Sequence, residues 1–200
     1  MMLSSTESQL VLIDYQTRLM PAIFEGPQVL ATAARLAQAA SLLGVPRILT
    51  AQCPDKLGAN DASLTQWQTH SLDKRHFDAC QDGLIQLLRE VGTPKASPNA
   101  RSVPKHLQKP VSLQRPSVVL TGVEAHICLL QTALSLLEEE DFEVWVVVDG
   151  CSSRSVRSRD AAFDRLAGAG AELVTAEMVA FEWLGSADHP QFKVVQALFK

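Results

Sequence analysis

The chain has 200 residues, 46% of them apolar, which is enough to bury a substantial core, and one domain spanning 1–200 is the expectation. A formal net charge of -4, from 18 Lys and Arg against 22 Asp and Glu, gives no broad basic surface to neutralise phosphates, so nucleic acid is not an expected partner. The opening MMLSSTESQL has no cationic start leading into an apolar stretch, and no later apolar run reaches bilayer length, so the expected location is cytoplasmic with no membrane partner.

In chain order, Gln9 to Asp14 reads QLVLID, an apolar run closed by a carboxylate, the pattern of a strand buried on both faces. Val29, Ala33, Leu36, Ala40 and Leu43 recur at spacings of four and three, which predicts a helix with one apolar face that stops at Gly44, ahead of Pro46. RILTAQ is a second strand, and a polar, irregular stretch then runs through Lys74. DGLIQLLREVG predicts a helix closed by Gly92. The prolines from Pro94 to Pro116 mark a long connection carrying Lys95, Arg101, Lys105, Lys109 and Arg115, whose role is left open. VVLTG is a strand ending at Gly122, followed by a helix whose apolar side is Ile127, Leu130, Leu134 and Leu137, with Cys128 in its first turn. EVWVVVDG is another buried strand, followed by the loop CSSRS and a helix from about Arg159 to Ala167. AELVT and helical patterns around Met178 to Leu184 and Phe192 to Phe199 close the chain. Strands alternating with amphipathic helices predict a three-layer α/β/α Rossmann-like fold with a mainly parallel sheet of five or six strands.

Such sheets bind ligands beyond the carboxyl ends of their strands, where Asp14, Gln52, Cys128 and Asp149 fall. The four cysteines, Cys53, Cys80, Cys128 and Cys151, show no C-x-x-C pair and no zinc spacing, so neither a disulfide framework nor a structural metal is expected. Cys53, Cys80 and Cys151 are read as structural, as small buried hydrophobes, with it left open whether Cys53, which follows the second strand, or Cys151 lines the pocket. Cys128 differs, because a thiol at a helix start meets unsatisfied N–H groups and a positive dipole end, which lower its pKa from a free value of about 8.5. A nearby cation lowers it further, and Lys74 can supply that charge. A carboxylate at the end of a buried strand needs a partner, and pairing Asp14 with Lys74 provides one while aiming a base at the thiol. Taken singly, Asp14 can be a turn cap and Lys74 a solvated lysine, with Arg75 the cation most easily confused with it.

Strand-terminal LVLIDYQ, the lysine of DKRHF and TGVEAHICLLQTALSLL together resemble the isochorismatase-like superfamily of cysteine hydrolases, closest to its isochorismatase-domain-containing branch. TAQCPDKLG, VVVDGCSSRS and HPQFK also match, so the resemblance covers nearly the whole chain. It implies that Asp14, Lys74 and Cys128 are the catalytic aspartate, lysine and cysteine. Asp14 would take the thiol proton, Lys74 would hold the carboxylate, and the Cys128 sulfur would attack an amide-like carbonyl to give a thioester acyl-enzyme. The resemblance also implies a cis peptide between Val123 and Glu124, and an oxyanion hole formed by the N–H groups of Glu124 and Cys128. Gln16, Gln52, Phe77 and His126 fall where substrate contacts are expected, although packing or capping accounts for each equally well. His70, His76, His106 and His189 are read as surface residues.

Departures from the family pattern narrow the chemistry. Nicotinamidase-type relatives place an Asp-x-His motif and a further His after the second strand to bind a divalent metal, whereas this chain reads QCPDKLG there, so no metal or other cofactor is expected. Isochorismatases cleave a vinyl ether without a nucleophilic cysteine, and the presence of Cys128 favours covalent C–N hydrolysis of a small molecule over that alternative. The resemblance implies a homo-oligomer, a dimer or larger. Competing readings are a redox or sensing module built on Cys128, a nucleotide-binding or receiver domain, and an idle scaffold. The second lacks both glycine fingerprints and a second acid in DYQ, and the third is opposed by the retained Asp, Lys and Cys.

Overall fold

A computed structural model of the chain describes residues 2–93 and 114–200, so most of the Pro94 to Pro116 connection, with Lys95, Arg101, Lys105, His106 and Lys109, lies outside the described residues. Six strands form one sheet: β1 (Ser8–Ile13), β2 (Arg47–Gln52), β3 (His70–Lys74), β4 (Ser117–Gly122), β5 (Glu143–Val147) and β6 (Glu172–Val174). Their spatial order is β3-β2-β1-β4-β5-β6, and every pairing is parallel. Order reverses between β1 and β4, the place where an open α/β sheet forms its ligand crevice.

The helices are α1 (Gly26–Leu42), α2 (Pro54–Leu57), α3 (Ala62–Thr65), α4 (Leu84–Gly92), α5 (Leu130–Leu137), α6 (Val156–Ala169), α7 (Ala176–Leu184) and α8 (Phe192–Leu198). Side chains alternate across each strand, so the sheet feeds two cores. Leu10, Leu12, Leu49, Val119 and Trp145 pack on one face against α1 and α7 through Val29, Ala33, Leu36, Val179 and Trp183. Val11, Ile13, Ile48, Val118 and Val146 pack on the other against α4, α5 and α6 through Leu84, Leu88, Ala133, Leu136 and Leu166. This is the three-layer arrangement expected of a chain in which apolar strands and amphipathic helices alternate.

One local expectation is corrected and one is widened. The stretch through Lys74 is not wholly irregular: its end is β3, an edge strand where His70, Ser71 and Asp73 are exposed and Leu72 is half-buried. With one face in water, HSLDK carries no apolar run to announce it. The apolar side of the helix after β4 is wider than expected: Leu130 is buried and Ile127, Leu134 and Leu137 pack against the same core, as predicted, with further residues beside them. Leu129, Ala133 and Leu136 are fully buried, while Ile127, Leu134 and Leu137 are half-buried. A π-helical turn at Ala125–Leu129 precedes α5.

Candidate active site

Asp14 follows β1 directly and adopts φ 56°, a left-handed conformation uncommon outside glycine. Its N–H donates to the Thr50 carbonyl at 3.3 Å, and the Thr50 hydroxyl donates to Oδ1 at 2.7 Å. Parallel register brings Gln52 opposite Lys74 at the ends of β2 and β3, and Lys74 Nζ reaches back to lie 2.7 Å from Asp14 Oδ2. Both side chains of this ion pair have zero exposure. The ammonium donates to Gln52 Oε1 at 2.7 Å and to the Phe77 carbonyl at 3.2 Å. Burying two charges is costly unless they are paired and hydrogen-bonded, and the ammonium meets Asp14, Gln52 and Phe77 while Thr50 serves Asp14 Oδ1. Apart from Lys74, Oδ2 accepts no hydrogen bond among the described residues.

Cys128 lies in the π-helical turn and is 6% exposed. Burial, above all, and then the Asp14 carboxylate push its thiol up to about 12, against an opposing pull from Lys74. The expectation of a thiol that sheds its proton easily is therefore corrected. The pull of the Lys74 ammonium is outweighed by desolvation and by the Asp14 carboxylate, so the sulfur is protonated at neutral pH. The Val123–Glu124 peptide is cis, and Glu124 caps the turn that carries Cys128.

The surrounding side chains divide by what holds them. Gln16 is buried with its amide engaged: Oε1 accepts from the Gln52 N–H at 2.9 Å, and Nε2 donates to the Gln52 and Gly58 carbonyls at 3.0 and 2.6 Å. Gln52 Nε2 donates to the Arg75 carbonyl at 2.7 Å, so Gln52 fixes Lys74 from one end and the chain after β3 from the other. Phe77 is 53% exposed, and His126 is half-buried with Nδ1 2.9 Å from Ser153 Oγ. Arg75 points to solvent beside Asp55, in contrast to Lys74. Asp149 Oδ1 accepts from the Ala176 N–H at 2.8 Å, at the start of α7. Cys151, together with Asp149, Glu25 and Arg159, lines a separate cavity of about 510 Å³ that none of Asp14, Lys74 and Cys128 touches.

Two supporting residues escaped the sequence reading. Thr50, which holds Asp14 Oδ1, is detectable only as the lone hydroxyl in RILTAQ. Tyr15 is fully buried, donates from its hydroxyl to the Gly150 carbonyl at 2.5 Å and ties the end of β1 to the turn after β5. Burial holds its phenol well above the usual range. Among the described residues, no group of three or more His, Cys, Asp or Glu is placed to hold a metal ion, and no helix is long and apolar enough to cross a membrane.

The isochorismatase domain family model matches residues 8–178. Isochorismatase domain-containing protein 2 of Homo sapiens is 36% identical over 193 residues, covering 96% of this chain and 83% of that protein. Its counterpart in Xenopus laevis is 34% identical, covering 98% of this chain and 85% of that one. Among solved structures, the MAR1 ribonuclease of Caenorhabditis elegans is similar with a TM-score of 0.80 at 33% identity, covering 99% of this chain and 92% of its own. The YcaC gene product of Escherichia coli, an octameric hydrolase of unknown specificity, is similar in fold with a TM-score of 0.83 at 21% identity, covering 99% of this chain and 89% of its own.

Proposed function

The chain belongs to the isochorismatase family, and from that premise we propose that it is a metal-independent cysteine hydrolase acting on a small amide-like C–N substrate through Asp14, Lys74 and Cys128. The observation that carries this reading is a fully buried Asp14–Lys74 pair at 2.7 Å, both members of which act on the Cys128 thiol. A thiol pushed up to about 12 is a poor nucleophile until its proton is taken, and Oδ2 is the carboxylate oxygen with room to take it. As sulfur bonds to the carbonyl carbon, its proton passes to Asp14. Lys74 holds the carboxylate in place and offsets its charge. The N–H groups of Glu124 and Cys128 stabilise the oxyanion. Asp14 then protonates the leaving amine, and water, deprotonated by the same carboxylate, releases the acid from the thioester.

The same raised pKa weakens a redox-sensing role for Cys128, since oxidation proceeds through the thiolate. The Caenorhabditis elegans relative is named a ribonuclease, which makes RNA the competing substrate. Against it stand a net charge of -4 and a site built around a thiol, suited to attack on a carbonyl. We expect a homo-oligomer, in keeping with the octamer of the Escherichia coli protein, and light scattering measures its mass.

A panel of amides, ureides and carbamates, followed by mass spectrometry of acylated cysteine, tests the mechanism. The expected result is an acyl adduct on Cys128 alone, with formation slowed by about 10²-fold or more in Asp14→Asn and in Lys74→Ala. Equal labelling of all four cysteines, indifference to both substitutions, or turnover of RNA with no acyl-enzyme overturns it.

A further inference from the structure

At the end of the sheet away from the catalytic candidates, β2 opens on Arg47 and β3 on His70. Both residues line a cavity of about 550 Å³, together with Thr69, Glu90 and an apolar wall of Leu87 and Val91 from α4. None of Asp14, Lys74 and Cys128 lines it, and the length of β2, five steps of about 3.3 Å each, separates Arg47 from Gln52. Arg47 is half-buried and fixed by backbone carbonyls: its Nε donates to that of Trp67 and its Nη1 to that of Val45 at 2.5 Å. Nη2 has no acceptor among the described residues. Burial alone pulls this guanidinium below the usual arginine value, with no charged neighbour contributing. Glu90 is exposed and forms no ion pair with it among the described residues. Residues 94–113, which follow Thr93 at the cavity wall, contain no Asp or Glu, so that part of the chain has no side-chain carboxylate to offer.

We propose that this cavity is a second binding site, which takes a small organic carboxylate with an apolar body: Arg47 receives the carboxylate, and Leu87 and Val91 receive the body. The site is independent of the hydrolase reading. A charge drawn out of water is costly until it is paired, and the chain supplies Arg47 with carbonyl dipoles but no counter-charge. An anionic ligand provides that counter-charge, a neutral one leaves the cost in place, and a cation adds to it. Because two carbonyls already hold the guanidinium, little rotamer freedom remains to be lost when the ligand binds. The Thr69 hydroxyl is committed elsewhere, donating to the Arg47 carbonyl at 2.8 Å and accepting from the Arg47 N–H at 2.9 Å, so recognition of charge falls to Arg47. Glu90 opposes an anion from the cavity wall and holds its affinity down. The volume suits an occupant of this size, since small-molecule sites span roughly 300–1,000 Å³.

Benzoate and benzamide share a ring and differ in charge, and titrating each into the full-length protein tests the site. The ring resonances of His70, assigned with His70→Gln, report occupancy of this cavity, and those of His126 report the catalytic end. Benzoate is expected to shift His70 saturably and to bind about tenfold more tightly than benzamide, with Arg47→Gln removing the difference. Glu90→Gln, at an exposed position that leaves the Arg47 contacts intact, is expected to tighten benzoate about twofold or more and to leave benzamide unchanged. This second variant decides the matter even where Arg47→Gln does not fold. Equal affinities for the two probes, benzoate binding unchanged in Arg47→Gln, or no tightening in Glu90→Gln each overturn the proposal. Shifts at His126 with none at His70 overturn it as well, since they put the carboxylate at the other end of the sheet.

Discussion

At the scale of single residues, the Asp14 carboxylate and the Lys74 ammonium pull the Cys128 thiol in opposite directions, and separating them is a direct measurement. Asp14→Asn removes the neighbour that raises the pKa and leaves the one that lowers it. Its iodoacetamide pH–rate profile should shift to lower pH while amide turnover is lost, because no acid remains to protonate the leaving amine. Lys74→Ala should shift the profile the other way. It also strands a buried carboxylate, so the urea midpoint should fall by the equivalent of about 3–5 kcal/mol, with Asp14→Asn/Lys74→Met recovering most of that loss. Profiles that stay together in all three proteins would show that the sulfur senses neither charge. The sequence reading singled out Asp14 and Cys128 at a predictable strand end and helix start, whereas Lys74, in a stretch read as irregular, was singled out by the family resemblance. Thr50 and Tyr15 were illegible, because their polar atoms meet partners contributed by other strands, and nothing in a linear pattern records that.

At the scale of elements, apolar periodicity located β1, β2, β4 and β5 closely because these strands are covered on both faces and read as unbroken apolar runs. It missed β3 because an edge strand with a wet face has no such run, although β3 delivers Lys74. It placed Leu130, Leu134 and Leu137 on the core side of α5 and left out Ala133 and Leu136, which are fully buried beside them. The correction is testable: Leu129→Ala, at a fully buried position, should cost about 2–5 kcal/mol in denaturant unfolding, and Leu134→Ala, at a half-buried one, distinctly less. Equal losses would mean that Leu134 is packed as deeply as Leu129. Where β1 and β4 come together at the site, Gly122 leaves no room for a side chain, since an added Cβ would lie 2.5 Å from both Cβ and O of Ile13. Gly122→Ala should therefore separate the ends of these strands, lowering both stability and Cys128 reactivity, and thermal unfolding together with iodoacetamide kinetics measures the two effects.

At the scale of the whole molecule, the layers that build the site also bury several weak acids far from water. Cys128 and Cys151 are each pushed up to about 12 from an ordinary 9.0, chiefly by burial, and the half-buried Cys80 thiol and the Tyr15 phenol are raised as well. For each group the folded protein retains a proton that the unfolded chain gives up earlier. The stabilisation is complete below about pH 9, and it drains away as pH climbs from there toward the folded values. Within that window every retained thiol proton costs roughly 1.4 kcal/mol of stability per pH unit. The urea midpoint should hold nearly steady from pH 7 to 8.5 and fall steeply between pH 9 and 11. Cys151 isolates the effect, because it lies outside the proposed catalytic group and its Sγ accepts only the Gly122 N–H at 3.3 Å. In Cys151→Ser the hydroxyl keeps that acceptor role and does not titrate in this range, so the alkaline slope should be shallower than wild type by about one thiol's share. Parallel slopes in the two proteins would mean that the Cys151 thiol ionises as readily in the folded state as in the unfolded chain, and that the core under β4 and β5 is open to water.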